Sequence, residues 1–304
     1  MVDKEPGWTS HDVVAKARGL LGTRKIGHAG TLDPDATGVL LLGVGKATRL
    51  LRFLSELPKA YVGELVLGST TTTLDSAGTV TARFEMDQVT LSDVQRVSAD
   101  FVGDILQVPP MVSAIKVDGR RLHELAREGI EIEREARPVR IDRIDVESTG
   151  TPGVFRLSVG CGSGTYIRSL CADIGSALGG GAHMQNLRRT GIGSFTVAEA
   201  TPLANVQLLP MTEVLRDHPG VRVDEAGRAH LLAGRRAEPQ GPMPETTGGG
   251  GPEGSPPGSH GGTESGHLAA YGPDGELIGM VRRAGDGSVQ PVVVVADMAA
   301  MPTP

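Results

Sequence analysis

With 304 residues, 39% of them hydrophobic and 22% charged, the chain is long enough to bury a sizeable core without disulfides or structural metal, and its length predicts about two domains. Its two cysteines, Cys161 and Cys171, fit neither a zinc spacing nor a redox pair, and no apolar run nears the ~20 residues that span a bilayer. The net charge of −6 argues against an all-over basic surface, but residues 241–304 carry two arginines against seven acids, which leaves the first 240 residues near neutral.

Ser10 is placed to cap a helix that turns Val13, Val14, Ala17, Leu20 and Leu21 inward and stops at Gly22, with Asp12 favouring the dipole of its first turn. Val39 to Leu42 predicts a short buried strand, and Lys46 to Leu57 an amphipathic helix. Tyr61 to Leu67 alternates as a strand does, and Thr79 to Phe84 follows as a second strand after Ala77-Gly78. Thr90-Leu91-Ser92-Asp93 is a capping-box start for a helix to about Phe101. Strands are expected near 104–108, 112–117, 139–147 and 154–161, and a helix near 166–178. Asp224 can cap a short helix through Leu232, stopped by Gly234. The last strands fall at 267–271, 276–281 and 290–296, two of them joined by the turn Pro273-Asp274-Gly275. Residues 239–266 are rich in Gly, Pro and Ser, with Met243 the one large apolar residue, and are expected to be disordered. Grouped strands broken by helices predict an α+β fold, with a first domain over 1–215 and a small β-rich domain over 216–304 interrupted by the 239–266 insertion.

The chemistry concentrates in Lys25-Ile26-Gly27-His28-Ala29-Gly30-Thr31-Leu32-Asp33-Pro34, where one carboxylate, Asp33, stands on a turn built from Gly, Thr and Pro. Three chemistries could use it. Gly43-Val44-Gly45-Lys46-Ala47-Thr48 resembles the end of a phosphate loop, but Leu40 and Ala47 stand where that motif needs Gly and Ser or Thr. Asp33-Pro34-Asp35-Ala36-Thr37 matches the D-x-D-x-T of Mg²⁺-dependent phosphatases, yet Gly27-His28-Ala29-Gly30-Thr31 before it is a poor strand. The third is carboxylate chemistry on a flipped nucleobase. That chemistry needs an ionised acid, a cation beside it, an aromatic plate and a wedge, and consumes no electrons, water or phosphate. One Trp, three Tyr and five Phe leave few candidates for the plate.

Several separated motifs decide among these. They are Lys4-Glu5-Pro6-Gly7-Trp8-Thr9-Ser10; Gly27 to Pro34 with Ala36, Gly38 and Leu40; Lys59-Ala60-Tyr61; Asp75-Ser76-Ala77-Gly78; the stretch Gln107 to Gly129; Arg134-Glu135-Ala136-Arg137-Pro138-Val139; Gly164-Thr165-Tyr166-Ile167-Arg168; and Gly181 to Thr190. In this order they resemble the TruB family of tRNA pseudouridine synthases over roughly residues 4–215. The resemblance implies isomerisation of a uridine in the T loop of tRNA, on a mixed, largely antiparallel sheet with the active site in a central cleft. It implies Asp33 as the catalytic residue. Arg168 would hold that acid ionised, Tyr61 would stack on the uracil, and Tyr166 and Leu187 would line the pocket. His28 would enter the T loop, and Lys4, Lys25, Arg188 and Arg189 would meet RNA. It implies no cofactor and no metal, a PUA-like RNA-binding domain after residue 215, and tRNA rather than a membrane as partner. The chain departs from the family pattern at Val112 and His123, which bears on local packing. A monomeric, cytoplasmic protein is expected, since the charged start has no secretory core. A non-catalytic RNA-binding or RNA-folding protein on the same fold is the alternative that keeps these motifs.

Overall fold

The computed structural model describes residues 1–113, 130, 132–241 and 266–296, and the backbone of 116–117 and 120–121. In chain order the elements are β1 (Val2–Lys4), α1 (Ser10–Leu20), β2 (Ile26–Ala29), β3 (Thr37–Val44), α2 (Leu51–Glu56), β4 (Lys59–Leu67), β5 (Ser69–Thr71), β6 (Val80–Arg83), α3 (Leu91–Ala99), β7 (Gly103–Gln107), β8 (Lys116–Val117), β9 (Arg120–Arg121), β10 (Arg137–Ser148) and β11 (Val154–Cys161). They continue with α4 (Ile167–Ala177), β12 (Ala182–Ile192), β13 (Phe195–Thr196), β14 (Thr201–Pro202), β15 (Gly220–Arg222), α5 (Glu225–Leu232), β16 (His267–Tyr271), β17 (Leu277–Arg283) and β18 (Val289–Val294). His123 and most of the 239–266 insertion lie outside the described residues.

One large sheet runs β14-β1-β3-β12-β4-β11-β10-β7, with β2 joined to β3 and β13 to β12. Pairing is antiparallel except at β1–β14 and β3–β12, so the sheet is mixed and largely antiparallel, as expected for an α+β fold. The apolar faces of β4, β10, β11 and β12 close with α3 and α4 around a core that includes Leu65, Ile141, Leu157, Leu170, Ile174 and Met184. A separate sheet, β15-β16-β17-β18, makes the C-terminal part β-rich and packs its own core, including Val223, Leu231, Ile278 and Val289, under α5. Leu50 and Phe53 from the first part meet Leu215, Tyr271 and Met280 in a shared apolar cluster between the two sheets. No helix among the described residues is long and apolar enough to cross a membrane.

Several local expectations are corrected. The cap of α1 is Thr9, whose side chain accepts from the Asp12 N–H while Asp12 accepts from Thr9 in a reciprocal box. The Ser10 hydroxyl is left to bond elsewhere, and its Oγ accepts from Leu32 N at 2.9 Å, joining α1 to the turn that carries Asp33. Leu20, expected inward, is 46% exposed, because the buried stripe of α1 is Val13, Val14 and Ala17. The expected helix over 46–57 splits into a 3₁₀ turn (Gly45–Arg49) and α2. The poor strand before Asp33 forms after all: β2 pairs with β3 from Ile26↔Val44 to Ala29↔Leu41, so tertiary pairing overrides its weak propensity. The run 181–190, noted only as a motif, contributes most of β12, a strand at the centre of the sheet.

Candidate active site

Asp33 lies on the connection between β2 and β3, and four neighbours fix that turn. Lys4 donates to Pro34 O at 2.7 Å and Gly7 N donates to the same carbonyl at 3.0 Å. Ser10 holds Leu32, and Arg189 donates to Gly30 O and Thr31 O at 3.2 and 3.3 Å. The side chain of Asp33 is half-buried, 38% exposed, so the acid reaches solvent from a partly enclosed position.

Arg168 reaches it from the first turn of α4. Its Nε lies 2.8 Å from Asp33 Oδ2 and its Nη2 donates to Oδ1 at 3.2 Å, a fork on both carboxylate oxygens. The side chain is 4% exposed, and its guanidinium also donates to Thr73 O and Val112 O, each at 2.8 Å. Because Val112 contributes its carbonyl, the departure in its side chain leaves this contact intact. The start of α4 has no side-chain cap of its own type; instead the buried Gln107 accepts from Tyr166 N at 2.8 Å and donates to Tyr166 O at 3.1 Å. Ser169 adds a bond to Val108 O at 2.9 Å.

A second acid shares the guanidinium. Asp75 Oδ2 is 3.5 Å from Arg168 Nη1, and sequence reasoning assigned it no role beyond its motif. The turn that presents it is held by Thr73 Oγ1 on Asp75 Oδ1 and by Ala77 N on the same oxygen. It is docked on β12 by Met184 N to Leu74 O and Ser76 N to Met184 O. Leu74 there has a φ of +63°, in the left-handed region that disfavours a branched side chain, so this turn carries backbone strain beside the site.

The electrostatics oppose one another. Burial raises the Asp33 carboxyl above its ordinary value and Asp75 adds to this, while Arg168 and Lys4 pull it back. Burial likewise lifts the Tyr61 phenol, with Arg189 pulling it down and the Asp33 charge pushing it up, which places that hydroxyl within electrostatic range of the acid. Tyr61 is half-buried on β4 between Val159 of β11 and Arg189 of β12. Tyr166 is half-buried at the head of α4, where burial raises its phenol pKa and Ser113 and Arg168 pull it down. Leu187 is half-buried on β12, 3.4 Å from where a Cβ on Gly63 would stand. His28, on β2, packs edge-on to His11 with ring centroids 5.5 Å apart, and burial and His11 lower its pKa, so it is neutral at physiological pH.

The four expected RNA-binding cations divide. Lys25 is exposed beside Arg24. Lys4 is 1% exposed, its amine engaged by the carbonyls of Glu5, Trp8 and Pro34, and its pKa is lowered by burial to about 8. Arg189 is also 1% exposed. Arg188 forms a fork on Asp3 at 2.7 and 3.0 Å. The structure therefore brings Asp33 and Arg168 into direct contact, with Tyr61 and Tyr166 near enough to feel the charge of Asp33, while Lys4 and Arg189 are buried under the turn rather than presented to a phosphate. Two more arginines of the large sheet are paired with acids, Arg140 with Asp104 and Asp142 and Arg143 with Asp145.

Comparison with known proteins supplies the context for this geometry. The family model described as TruB family pseudouridylate synthase (N terminal domain) matches residues 18–167, and that of the tRNA pseudouridylate synthase B C-terminal domain matches 168–218. A tRNA pseudouridine synthase B of Arthrobacter sp. (strain FB24) is 41% identical over 97% of this chain and 95% of its own length. Those of Thermobifida fusca (41%, 97% of each chain) and Rhodococcus jostii (49%, 74% of this chain and 72% of its own) are similar too. Among solved structures, a Cbf5-Nop10-Gar1 complex superposes with a TM-score of 0.71 at 26% identity, covering 97% of this chain and 84% of that one.

Proposed function

The chain belongs to the TruB family and isomerises uridine to pseudouridine in tRNA, and we propose that its target is the uridine of the T loop and that Asp33 carries the reaction. The reaction breaks N1–C1′, joins C5 to C1′, gives N1 a proton from solvent and releases the C5 proton to solvent. A buried base cannot undergo it, so the uridine must leave its stack, at a cost of a few kcal/mol that is least in a loop. Asp33 supplies the charged oxygen that opens the reaction at the sugar or the ring. Arg168 aims that oxygen and opposes the burial that raises its pKa. Tyr61 offers its ring as the plate for the uracil, Tyr166 and Leu187 close the pocket, and neutral His28 fills the space left in the RNA loop. Lys25 with Arg24 meets the backbone of the T arm, and binding weakens as salt rises.

The observation that carries this reading is the two-point grip of the buried Arg168 on the solvent-reaching Asp33. The same grip disfavours a Mg²⁺-dependent phosphatase, since a fixed guanidinium already occupies both oxygens that such a metal would need. We further propose that residues 1–215 form the catalytic domain and 216–304 a PUA-like domain, and that the protein acts as a cytoplasmic monomer. The separate sheet and core of the C-terminal part support that division. Unmodified tRNA transcript carrying tritium at C5 of uridine tests the site: the parent protein releases tritium and Asp33→Asn does not. Equal release by both removes Asp33 from the chemistry, and release by neither leaves a non-catalytic RNA-binding protein.

A further inference from the structure

Arg189 is among the largest fully buried side chains of the protein. A guanidinium keeps its charge in an interior, and burying it is costly unless it is paired. The comparably buried Arg228 of the C-terminal part has Glu276 at 2.7 Å and Glu225 at 3.4 Å. Arg168 has Asp33 and Asp75. Arg189 makes its described bonds to neutral oxygens instead. Nε donates to Val39 O at 2.8 Å, Nη1 to Thr31 O at 3.3 Å and Nη2 to Gly30 O at 3.2 Å, and the guanidinium of this cross-strand partner of Tyr61 is near enough to the phenol to pull its pKa down. Gly30 and Thr31 lead into Asp33, and Val39 lies in β3, the strand that leaves the turn.

The backbone around it is equally fixed. Arg189 pairs with Tyr61 of β4 on one side and with Gly38 of β3 on the other. A Cβ on Gly38, whose φ is +104°, would stand 2.1 Å from Arg189 O, so only glycine allows so close an approach. The side chain thus lies under the seam where the strand bearing Tyr61 and the turn bearing Asp33 meet.

We infer that Arg189 is a positioning residue for the isomerisation, its buried guanidinium tying the Tyr61 hydroxyl to the backbone of the Asp33 turn so that aromatic plate and carboxylate keep one spacing. The inference rests on Asp33 and Tyr61 being the groups that meet the uridine. It replaces the role as a phosphate ligand that the adjacent arginines in the sequence suggest. The same charge favours the ionised phenol against burial, which gives the contact a spectroscopic signature. A lysine could not reproduce it, because one ammonium cannot span three carbonyls beside a phenol.

The test uses the full chain with Arg189→Gln, Arg189→Lys, Tyr61→Phe and the double variant Arg189→Gln/Tyr61→Phe. Three quantities are read: single-turnover tritium release from tRNA, tRNA affinity against salt, and ultraviolet titration of the three tyrosines, with the Tyr61 phenol isolated by difference from Tyr61→Phe. Displacing a reacting group by about 1 Å costs roughly 100-fold, and that loss is expected in the chemical rate of Arg189→Gln, with a smaller loss in Arg189→Lys. The Tyr61 phenol should titrate at higher pH in Arg189→Gln, and the double variant should lose much less than the product of the two single losses. Binding should keep the parental salt slope. A slope reduced by about one with the chemical rate intact marks a phosphate ligand and overturns the inference. Strictly multiplicative losses, or an unmoved phenol, also overturn it. If Arg189→Gln does not fold, Arg189→Lys decides by its coupling to Tyr61→Phe in place of the glutamine variant. Asp33→Asn run alongside separates the two claims: tritium release at the parental rate by that variant refutes the site itself, whereas parental behaviour of the Arg189 variants alone refutes only the positioning role.

Discussion

The large sheet and the C-terminal sheet bury their arginines in different ways. In the C-terminal part, Arg228 sits between Glu225 and Glu276, and Arg236 meets Asp286 at the surface, so charge is neutralised locally and the interior is left to Val223, Leu231, Ile278 and Val289. In the large sheet, Arg168 and Arg189 hold backbone carbonyls of the turns at 30–31, 73 and 112, and Lys4 holds those at 5, 8 and 34. A buried ion pair is a poor source of stability. Cations placed on loop carbonyls do something else: they fix irregular backbone around a carboxylate that must remain open to solvent. The first arrangement serves folding and the second serves placement.

The sharpest way to break this contrast is Arg168→Met. It frees Asp33 and Asp75 to repel one another and removes the fixed charge beside the reacting centre, for an expected loss of roughly 10³-fold in single-turnover tritium release. A loss under tenfold would contradict the assignment. Tyr61 gives the next effect. Tyr61→Leu removes the plate and should cost more than Tyr61→Phe, which keeps the ring but removes the hydroxyl near Arg189; the phenylalanine form is expected to slow about tenfold, in line with one lost polar contact. Equal losses in both forms would show that the ring itself contributes little. Arg228→Met is the control from the other sheet. It should lower the denaturation free energy by about 2 kcal/mol, below the range for a fully buried pair because both glutamates are partly hydrated, and leave tritium release unchanged.

The smallest effect is a pH shift with opposite signs in rate and stability. Burial raises the Asp33 pKa above 3.8, so the active carboxylate is lost on acidification at a midpoint above that value, and the acid limb of the rate profile should lie there. For stability, the folded state holds this proton more tightly than the unfolded one. Its contribution is present below 3.8 and is lost as pH rises through the raised value, so ionised Asp33 lowers stability at neutral pH. Asp33→Asn should therefore melt no lower than the parent at pH 7, and a clearly lower melting temperature would contradict this reading.

Much of the site was legible because turns declare themselves. Gly30, Thr31 and Pro34 around a single acid mark Asp33 as displayed, and Thr90 with Asp93 announces the cap of α3 that forms. What sequence hides is burial and pairing. Arg188 and Arg189 look alike in the chain, yet one lies on Asp3 and the other is buried, because successive residues of β12 face opposite sides of the sheet and nothing local tells which side is covered. The polar run from Gln185 to Arg189 masks a central strand whose neighbours, not its own propensity, make it one. Asp75 was visible only as a motif position, since nothing local to it shows that Arg168 will arrive from 93 residues further along the chain. Thr9 and Ser10 are both good caps, and only the contact of Ser10 with Leu32 tells which is used elsewhere.

The most direct measurement is the structure of the full chain bound to a T-arm stem-loop carrying 5-fluorouridine at the target position, where fluorine replaces the C5 proton that must leave. The base is expected outside the RNA stack against the Tyr61 ring, with Asp33 within about 3.5 Å of the ribose or ring carbon it engages and Arg168 still gripping the acid. A base still stacked in its loop, or bound away from the Asp33 turn, would contradict the role given to Asp33.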